Sequence, residues 1–103
     1  MENILAEFIS AIHDKRKIRL TFYSKQDKSV IERLTAPLDY GPSSKSKNKD
    51  NRFHFWDYQS DTQNHTLSLL PNQIIGMEFM NENFDSTDFM SWIPNWTIER
   101  NWG

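Results

Sequence analysis

The strongest chemical signal in this sequence is a basic loop that runs directly into an aromatic stretch. Residues 43–52 are otherwise small or polar, and their cations are Lys45, Lys47, Lys49 and Arg52. The stretch 53–58 follows at once and is the densest run of rings in the chain. Lysines that meet phosphates beside rings that stack on bases are how small barrels hold single-stranded nucleic acid. The alternative is a solvated loop, because the net charge is −2 and the C-terminal region is acidic.

Other chemistries lack the residues that they need. A metal site would have to use the three histidines, His13, His54 and His65. They are far apart in sequence, whereas zinc needs three or four convergent ligands. The chain has no cysteine, which excludes a thiolate nucleophile and a disulfide. No serine lies in a hydrolase motif, and the three glycines form no phosphate-binding loop. We therefore expect no enzyme, no metal and no cofactor.

Two carboxylates, Asp57 and Glu78, fall inside predicted strands. A catalytic pair would need both to face one pocket at a defined separation, and nothing in the sequence indicates this. Pairing across strands with Arg33 or a lysine is the expectation that we adopt.

Length and composition indicate one domain, residues 1–103. The chain has 103 residues, of which 14% are aromatic, enough for a single core. The first residues lack the basic region and apolar run of a signal peptide. No stretch approaches the length of a membrane span. These features favour a cytoplasmic protein without membrane contact.

Hydropathy periodicity predicts a helix and then five strands. Apolar residues recur at helical spacing over residues 3–15. Alternating patterns predict strands at 18–23, 30–36, 52–59, 65–70 and 73–80. Pro37 marks a strand end or a bulge. In the central strand, Phe53, Phe55 and Asp57 lie on one face, whereas Trp56 and Tyr58 lie on the other. Large residues on both faces indicate cover on both sides, so we predict a mainly β fold in which residues 18–80 form a small barrel.

The C-terminal extension, residues 81–103, is rich in tryptophan. Asp85 or Ser86 could cap a short helix that carries Phe89, and Pro94 would end it. The tryptophans of this region are Trp92, Trp96 and Trp102. They could close the chain's own barrel, form a homodimer or other protein contact, or offer a stacking surface to a ligand.

The order of these elements resembles the WYL domain of bacteria. The resemblance covers about residues 4–80 and rests on the segments 18–23, 32–38, 55–58, 67–69 and 73–75. The positions that match the family pattern are Tyr23, Arg33, Pro37, Trp56 and Tyr58. This sequence departs from the pattern where Asp57 separates Trp56 from Tyr58. It also has His65 and Ser68 near positions where the family usually carries arginines.

The resemblance implies a five-stranded SH3-like or Sm-like barrel preceded by a helix. It also implies a ligand-sensing module that responds to nucleic acid or a nucleotide-like ligand. We therefore predict a non-enzymatic regulatory binding module. Its charge would come from Arg19, Arg33, Lys45, Lys47, Lys49 and Arg52, and its stacking surface from Tyr23, Trp56 and Tyr58. The alternative is a protein-interaction or homodimerisation module that uses Trp92, Trp96 and Trp102.

Overall fold

The computed structural model describes residues 4–43, 49–60, 65–90, 96–100 and Trp102. Its one α-helix is α1 (Ile4–Asp14), and its strands are β1 (Arg16–Ser24), β2 (Ser29–Pro42), β3 (Asn51–Asp57), β4 (Thr66–Leu69) and β5 (Ile74–Asn83). Single 3-10 turns occupy Pro71–Gln73 and Ser86–Asp88. The predicted helix and strands are thus confirmed, with boundaries that differ by a few residues.

Helix α1 forms because its apolar side chains fall on one stripe, of which Phe8, Ala11 and Ile12 are buried. It ends where Lys15 takes a left-handed conformation, φ 56°, which turns the chain into β1. The last carbonyls of a helix lack partners within the helix. Here the Asn83 side-chain amide donates to the Asp14 carbonyl at 2.8 Å, and the Trp102 indole donates to the Ile12 carbonyl at 2.7 Å. The C-terminal end of α1 is therefore held by β5 and by the end of the chain.

The five strands form one antiparallel sheet in the order β4-β3-β2-β1-β5. No ladder joins β4 to β5 within the described ranges, so the predicted closure into a barrel is wrong. The short β4 and the long β5 are the two edges. A register shift lies between Pro37 and Asp39, so of the two alternatives expected at Pro37, a strand end or a bulge, the structure has the bulge. Because the bulge absorbs the proline, β2 continues to Pro42 instead of ending at residue 36.

The main core lies between α1 and one face of the sheet. Phe8 of α1 packs edge-to-face on Phe53 and Phe55, with ring centroids 4.9 and 5.4 Å away. Such aromatic pairs add to the stabilisation that burial of their area gives. The alternation predicted for the central strand is confirmed here, since Phe53, Phe55 and Asp57 are all buried.

The C-terminal extension also packs on the sheet and on α1. Phe84, Phe89 and Trp102 are buried members of the same core. Asp85 caps the 3-10 turn by accepting a hydrogen bond from the Thr87 amide at 3.0 Å, as its sequence position predicts. The turn spans only Ser86–Asp88, so the expected longer helix is not seen. The rest of that predicted helix, including Trp92, lies in residues 91–95, outside the described residues.

Candidate binding surfaces

Of the three rings predicted to stack on a ligand, Trp56 and Tyr58 are contacted by the C-terminal extension, whereas Tyr23 is exposed. Phe89 stacks on Trp56 with centroids 5.1 Å apart and planes 18° apart, and meets Tyr58 edge-on at 6.1 Å. His65 also stacks on Trp56, at 4.9 Å and 21°. Trp56 and Tyr58 therefore already have aromatic partners within the chain.

The surroundings of Tyr58 are unfavourable for an anion. Burial, together with the smaller effects of the Asp88, Asp85 and Glu82 carboxylates, raises the pKa of Tyr58 to about 12. A nearby cation is Lys17, whose Nζ lies 5.1 Å from the Tyr58 ring centroid and 2.6 Å from a Glu82 carboxylate oxygen. A phosphate at this position would meet acidic groups and a lysine that is already paired.

Arg33 lies on the opposite face of the sheet from Trp56. Thr35 pairs with Asp57 across the β2–β3 ladder, and alternate residues of a strand share a face, so Arg33 and Asp57 lie together. The Arg33 guanidinium is 3.8 Å from the Asp57 carboxylate and donates to the Gln59 carbonyl at 2.7 Å. The predicted cross-strand pair is thus confirmed. It fastens the end of β3, and it takes Arg33 away from any surface that contains Trp56.

The remaining predicted cations are scattered. Arg19 lies between two carboxylates, 3.4 Å from Glu32 and 3.7 Å from Glu78. Lys49 is exposed and Arg52 is half-buried at the start of β3, whereas Lys45 and Lys47 lie outside the described residues. The structure therefore does not gather the predicted charges and rings on one surface.

His54 instead serves to connect three strands. Its Nε2 lies 2.9 Å from the Gly41 carbonyl of β2, and its Nδ1 lies 2.8 Å from the Ser68 hydroxyl of β4. A carbonyl only accepts, so Nε2 donates to the Gly41 carbonyl. Both ring nitrogens of His54 are used within the sheet.

A buried ion pair anchors the C-terminal extension to β2. The Asp39 carboxylate accepts hydrogen bonds from the backbone amides of Thr97, at 2.8 Å, and Ile98, at 2.9 Å. It also lies 3.2 Å from Arg100, whose side chain is fully buried and donates to the Leu38 carbonyl. Burial lowers the pKa of Arg100 to about 10, although Asp39 acts to raise it, so the guanidinium stays charged at neutral pH. We call these contacts the Asp39 anchor.

Two of the predicted interaction tryptophans are used by this anchor. The Arg100 guanidinium lies 3.8 Å from the Trp96 ring centroid and 4.8 Å from that of Trp102. The two indoles contact each other edge-on at 5.8 Å. Cation–π contacts of a desolvated guanidinium are among the stronger ones. Trp96 and Trp102 therefore pack within their own chain, and the prediction for Trp92 lies outside the described residues.

A different surface remains open, on the side of the sheet opposite α1. We call it the open face; its residues are Arg19, Thr21, Tyr23, Val30, Glu32, Ile75, Gly76 and Glu78. Tyr23, Val30 and Ile75 are the large hydrophobic side chains that stay exposed in the described part of the chain, at 42%, 59% and 56%. Tyr23 and Val30 are direct cross-strand partners, and Ile75 lies at the adjoining register shift of β5. The sequence predicted Arg19 and Tyr23 as site residues but not Val30 and Ile75. The β1–β2 register brings Val30 beside Tyr23, and the β1–β5 ladder brings Ile75 to the same end of the sheet.

Neither close packing nor backbone conformation explains why position 76 is a glycine. A Cβ built on Gly76 would meet nothing within 4 Å, and its φ lies outside the left-handed region. Glycine weakens a strand interior and often marks a place where another backbone or ligand comes close. Gly76 pairs with Thr21, so this open space lies on the open face.

A shallow groove lies between α1 and β5. It encloses about 200 Å³ and is lined by Ala6, Glu7, Ser10, Ala11, Arg16 and Phe79. Arg16 donates across it to the Met80 carbonyl at 2.8 Å, so its guanidinium is already used.

Two other kinds of feature, a metal-ligand cluster and a membrane-spanning helix, are not found among the described residues. Among the described residues, no three His, Asp or Glu side chains converge as metal ligands would. No helix described by the structure is long and apolar enough to cross a membrane. Comparison with protein-family models, with curated proteins and with solved structures gives no match to this chain.

Proposed function

We propose that this chain is a non-enzymatic protein-interaction module that binds through the open face. The observation that carries the proposal is the clustering of Tyr23, Val30 and Ile75, three exposed hydrophobic side chains, on one end of one sheet face. An exposed apolar patch bordered by charges is typical of protein-binding surfaces. Tyr23 adds an amphipathic ring, a residue type enriched at binding hot spots.

The open face is also rigid, which lowers the cost of binding. Its residues lie on three hydrogen-bonded strands, β2, β1 and β5, so little backbone ordering is needed when a partner arrives. Arg19, Glu32 and Glu78 form a charged border on one side of the apolar patch. Such borders contribute to partner selection more than to affinity.

The proposal can be tested in cells that produce the protein by placing a photo-crosslinking amino acid at position 30 and, in a control variant, at position 13. We expect position 30 to give covalent adducts with protein, whereas the exposed His13 position on α1 gives few. The adducts at position 30 should disappear when Ile75 is replaced by Asp, which places a charge inside the patch. Equal adduct formation at positions 30 and 13 would refute the open face as a binding surface.

Binding of single-stranded nucleic acid or a nucleotide-like anion, which the resemblance to WYL domains implies, stays a prediction for the basic loop. The exposed Lys49 supports it, whereas the covered rings of Trp56 and Tyr58 do not contribute while Phe89 is in place. Titration with a short oligothymidylate at low and moderate salt decides the matter. Phosphate contacts are strongest at low salt, so failure to bind there would exclude this function. If binding occurs, Lys49→Gln should weaken it and reduce its salt dependence.

A further inference from the structure

The open face carries charges whose order is complementary to itself. Val30 and Glu32 are alternate residues of β2 and share this face, since alternate residues of a strand lie on one side. Lys28 lies two residues before Val30, in the turn that immediately precedes β2. Two residues of extended chain span about 7 Å. Lys28 itself adopts a left-handed conformation, φ 53°, and β2 begins at Ser29, so strand geometry applies only from Ser29 onward. A base in the turn and an acid on the strand therefore lie on opposite sides of Val30 along the chain.

These charges are only partly satisfied within one copy. The side chains of Glu32 and Glu78 are 58% and 71% exposed, and both rely on the one guanidinium of Arg19. Lys28 is exposed and forms no ion pair within the ranges that the structure describes. The surface thus offers a carboxylate and an ammonium group to a partner of complementary pattern.

We propose, building on the interaction function above, that this partner is a second copy of the chain. The two open faces pack against each other about a two-fold axis that crosses the strands at Val30. This symmetry places the Val30 and Tyr23 side chains of one copy against those of the other. It also brings Lys28 of each copy to Glu32 of the other, so that every ion pair occurs twice, as in an isologous dimer.

Gly76 also fits the proposed two-fold arrangement of the two copies. With the axis at Val30, the row that contains Thr21 and Gly76 faces the hairpin turn of the second copy. The open space at Gly76, where nothing lies within 4 Å of a built Cβ, leaves room for that turn to approach. A bulky residue at position 76 would fill this room without disturbing its own chain.

Charge reversal of purified protein tests the proposal by analytical ultracentrifugation over a wide concentration range. Lys28→Glu and Glu32→Lys should each raise the dimer dissociation constant about tenfold or more, because each creates two like-charge contacts. The double variant carries reversed but complementary pairs and should recover most of the affinity. An equimolar mixture of the two single variants should form a one-to-one heterodimer more readily than either forms its homodimer.

Controls separate a lost interface from lost folding. Both substituted positions are exposed, so circular dichroism and the thermal midpoint should stay close to wild type. Gly76→Trp supplies a variant that changes no charge, and it should also weaken the dimer while leaving the monomer folded.

The results distinguish this proposal from the function on which it rests. A wild-type chain that stays monomeric at about 1 mM, a concentration at which even weak association is populated, would refute the second copy as partner. So would a dimer that tolerates both charge reversals. Adducts at position 30 with a different protein would then leave the interaction function intact, whereas their absence would refute both.

Discussion

Replacing Asp39 by Ala should release the C-terminal extension from the sheet. The substitution removes the acceptor of two backbone amides, those of Thr97 and Ile98, and the counter-charge of Arg100. The Arg100 side chain is fully buried and that of Asp39 is 12% exposed. Without Asp39, a guanidinium would have to stay buried without its carboxylate or leave the pocket between Trp96 and Trp102.

The expected cost follows from that burial. Removing one partner of a buried ion pair typically costs about 3–5 kcal/mol, since the other charge is left uncompensated. A domain of this size is stable by about 5–15 kcal/mol, so Asp39→Ala should remove a large share of the stability. The matched control is Glu82→Gln, which breaks an ion pair that is shorter, at 2.6 Å, but 55% exposed on the glutamate side. Exposed pairs contribute about 0–1 kcal/mol, so burial and not distance should decide the outcome.

Urea unfolding, followed by tryptophan fluorescence, measures both free energies. Hydrogen exchange of the Trp102 indole, which donates to the Ile12 carbonyl, reports release of the extension in the folded state and should accelerate in Asp39→Ala. Adding Arg100→Met to this variant should restore part of the lost stability, because it removes the uncompensated charge. If Asp39→Ala costs no more than Glu82→Gln, the Asp39 anchor does not hold the extension and the reasoning is wrong.

Further predictions concern three single positions. The Tyr58 hydroxyl is buried and has no hydrogen-bond partner in the described part of the chain, so Tyr58→Phe should leave stability unchanged or raise it by up to about 1 kcal/mol. Since the folded-state pKa of Tyr58 is raised from 10.0 to about 12, its contribution to stability is present below pH 10 and is lost as the pH rises toward 12. Between about pH 10 and 12, the free energy of unfolding should therefore fall more steeply with pH for wild type than for Tyr58→Phe. An equal pH dependence of the two proteins would contradict the raised pKa of Tyr58. Gly41→Ala places a Cβ 2.6 Å from the Thr97 hydroxyl oxygen and should cost about 1–3 kcal/mol, whereas Gly76→Ala, which meets nothing within 4 Å, should be neutral or slightly stabilising. Thermal unfolding of the two alanine variants checks this contrast, and equal midpoints would contradict it.

Local patterns were sufficient to predict the elements of this fold. Helical spacing found α1, and alternation found the strands, because each of these signals depends only on neighbouring residues. The same alternation placed Asp57 on one face with Phe53 and Phe55, and all three are buried. The separate expectation that Asp57 pairs across strands with Arg33 or a lysine is met by Arg33. It did not predict whether the sheet closes, since closure depends on contacts between strands that are distant in sequence, here β4 and β5.

The candidate site could not be predicted in the same way, because it required side chains from two different strands to lie on the same face of the sheet. Arg33 and Trp56 each fit the expected chemistry, yet the β2–β3 register puts them on opposite sides of the sheet. A shift of one residue would reverse this result, and register is set by the bulge between Pro37 and Asp39. The prediction of a basic and aromatic surface therefore depended on the pairing register of β2 and β3, which residue types alone do not determine.

The C-terminal extension contacts the central rings that the sequence predicts to stack on a ligand, Trp56 and Tyr58. Trp56 and Tyr58 have the exposure pattern of a stacking surface only if nothing else in the chain covers them. Phe89 covers them, and the extension that carries Phe89 is also joined to β2 through Asp39 and Arg100, which are 61 positions apart. A buried charge is tolerated only when it is paired, so the conversion of Asp39 and Arg100 into a buried pair requires the extension to be docked. The open face is the surface that remains once this internal packing is complete, and for that reason it is the better candidate for binding.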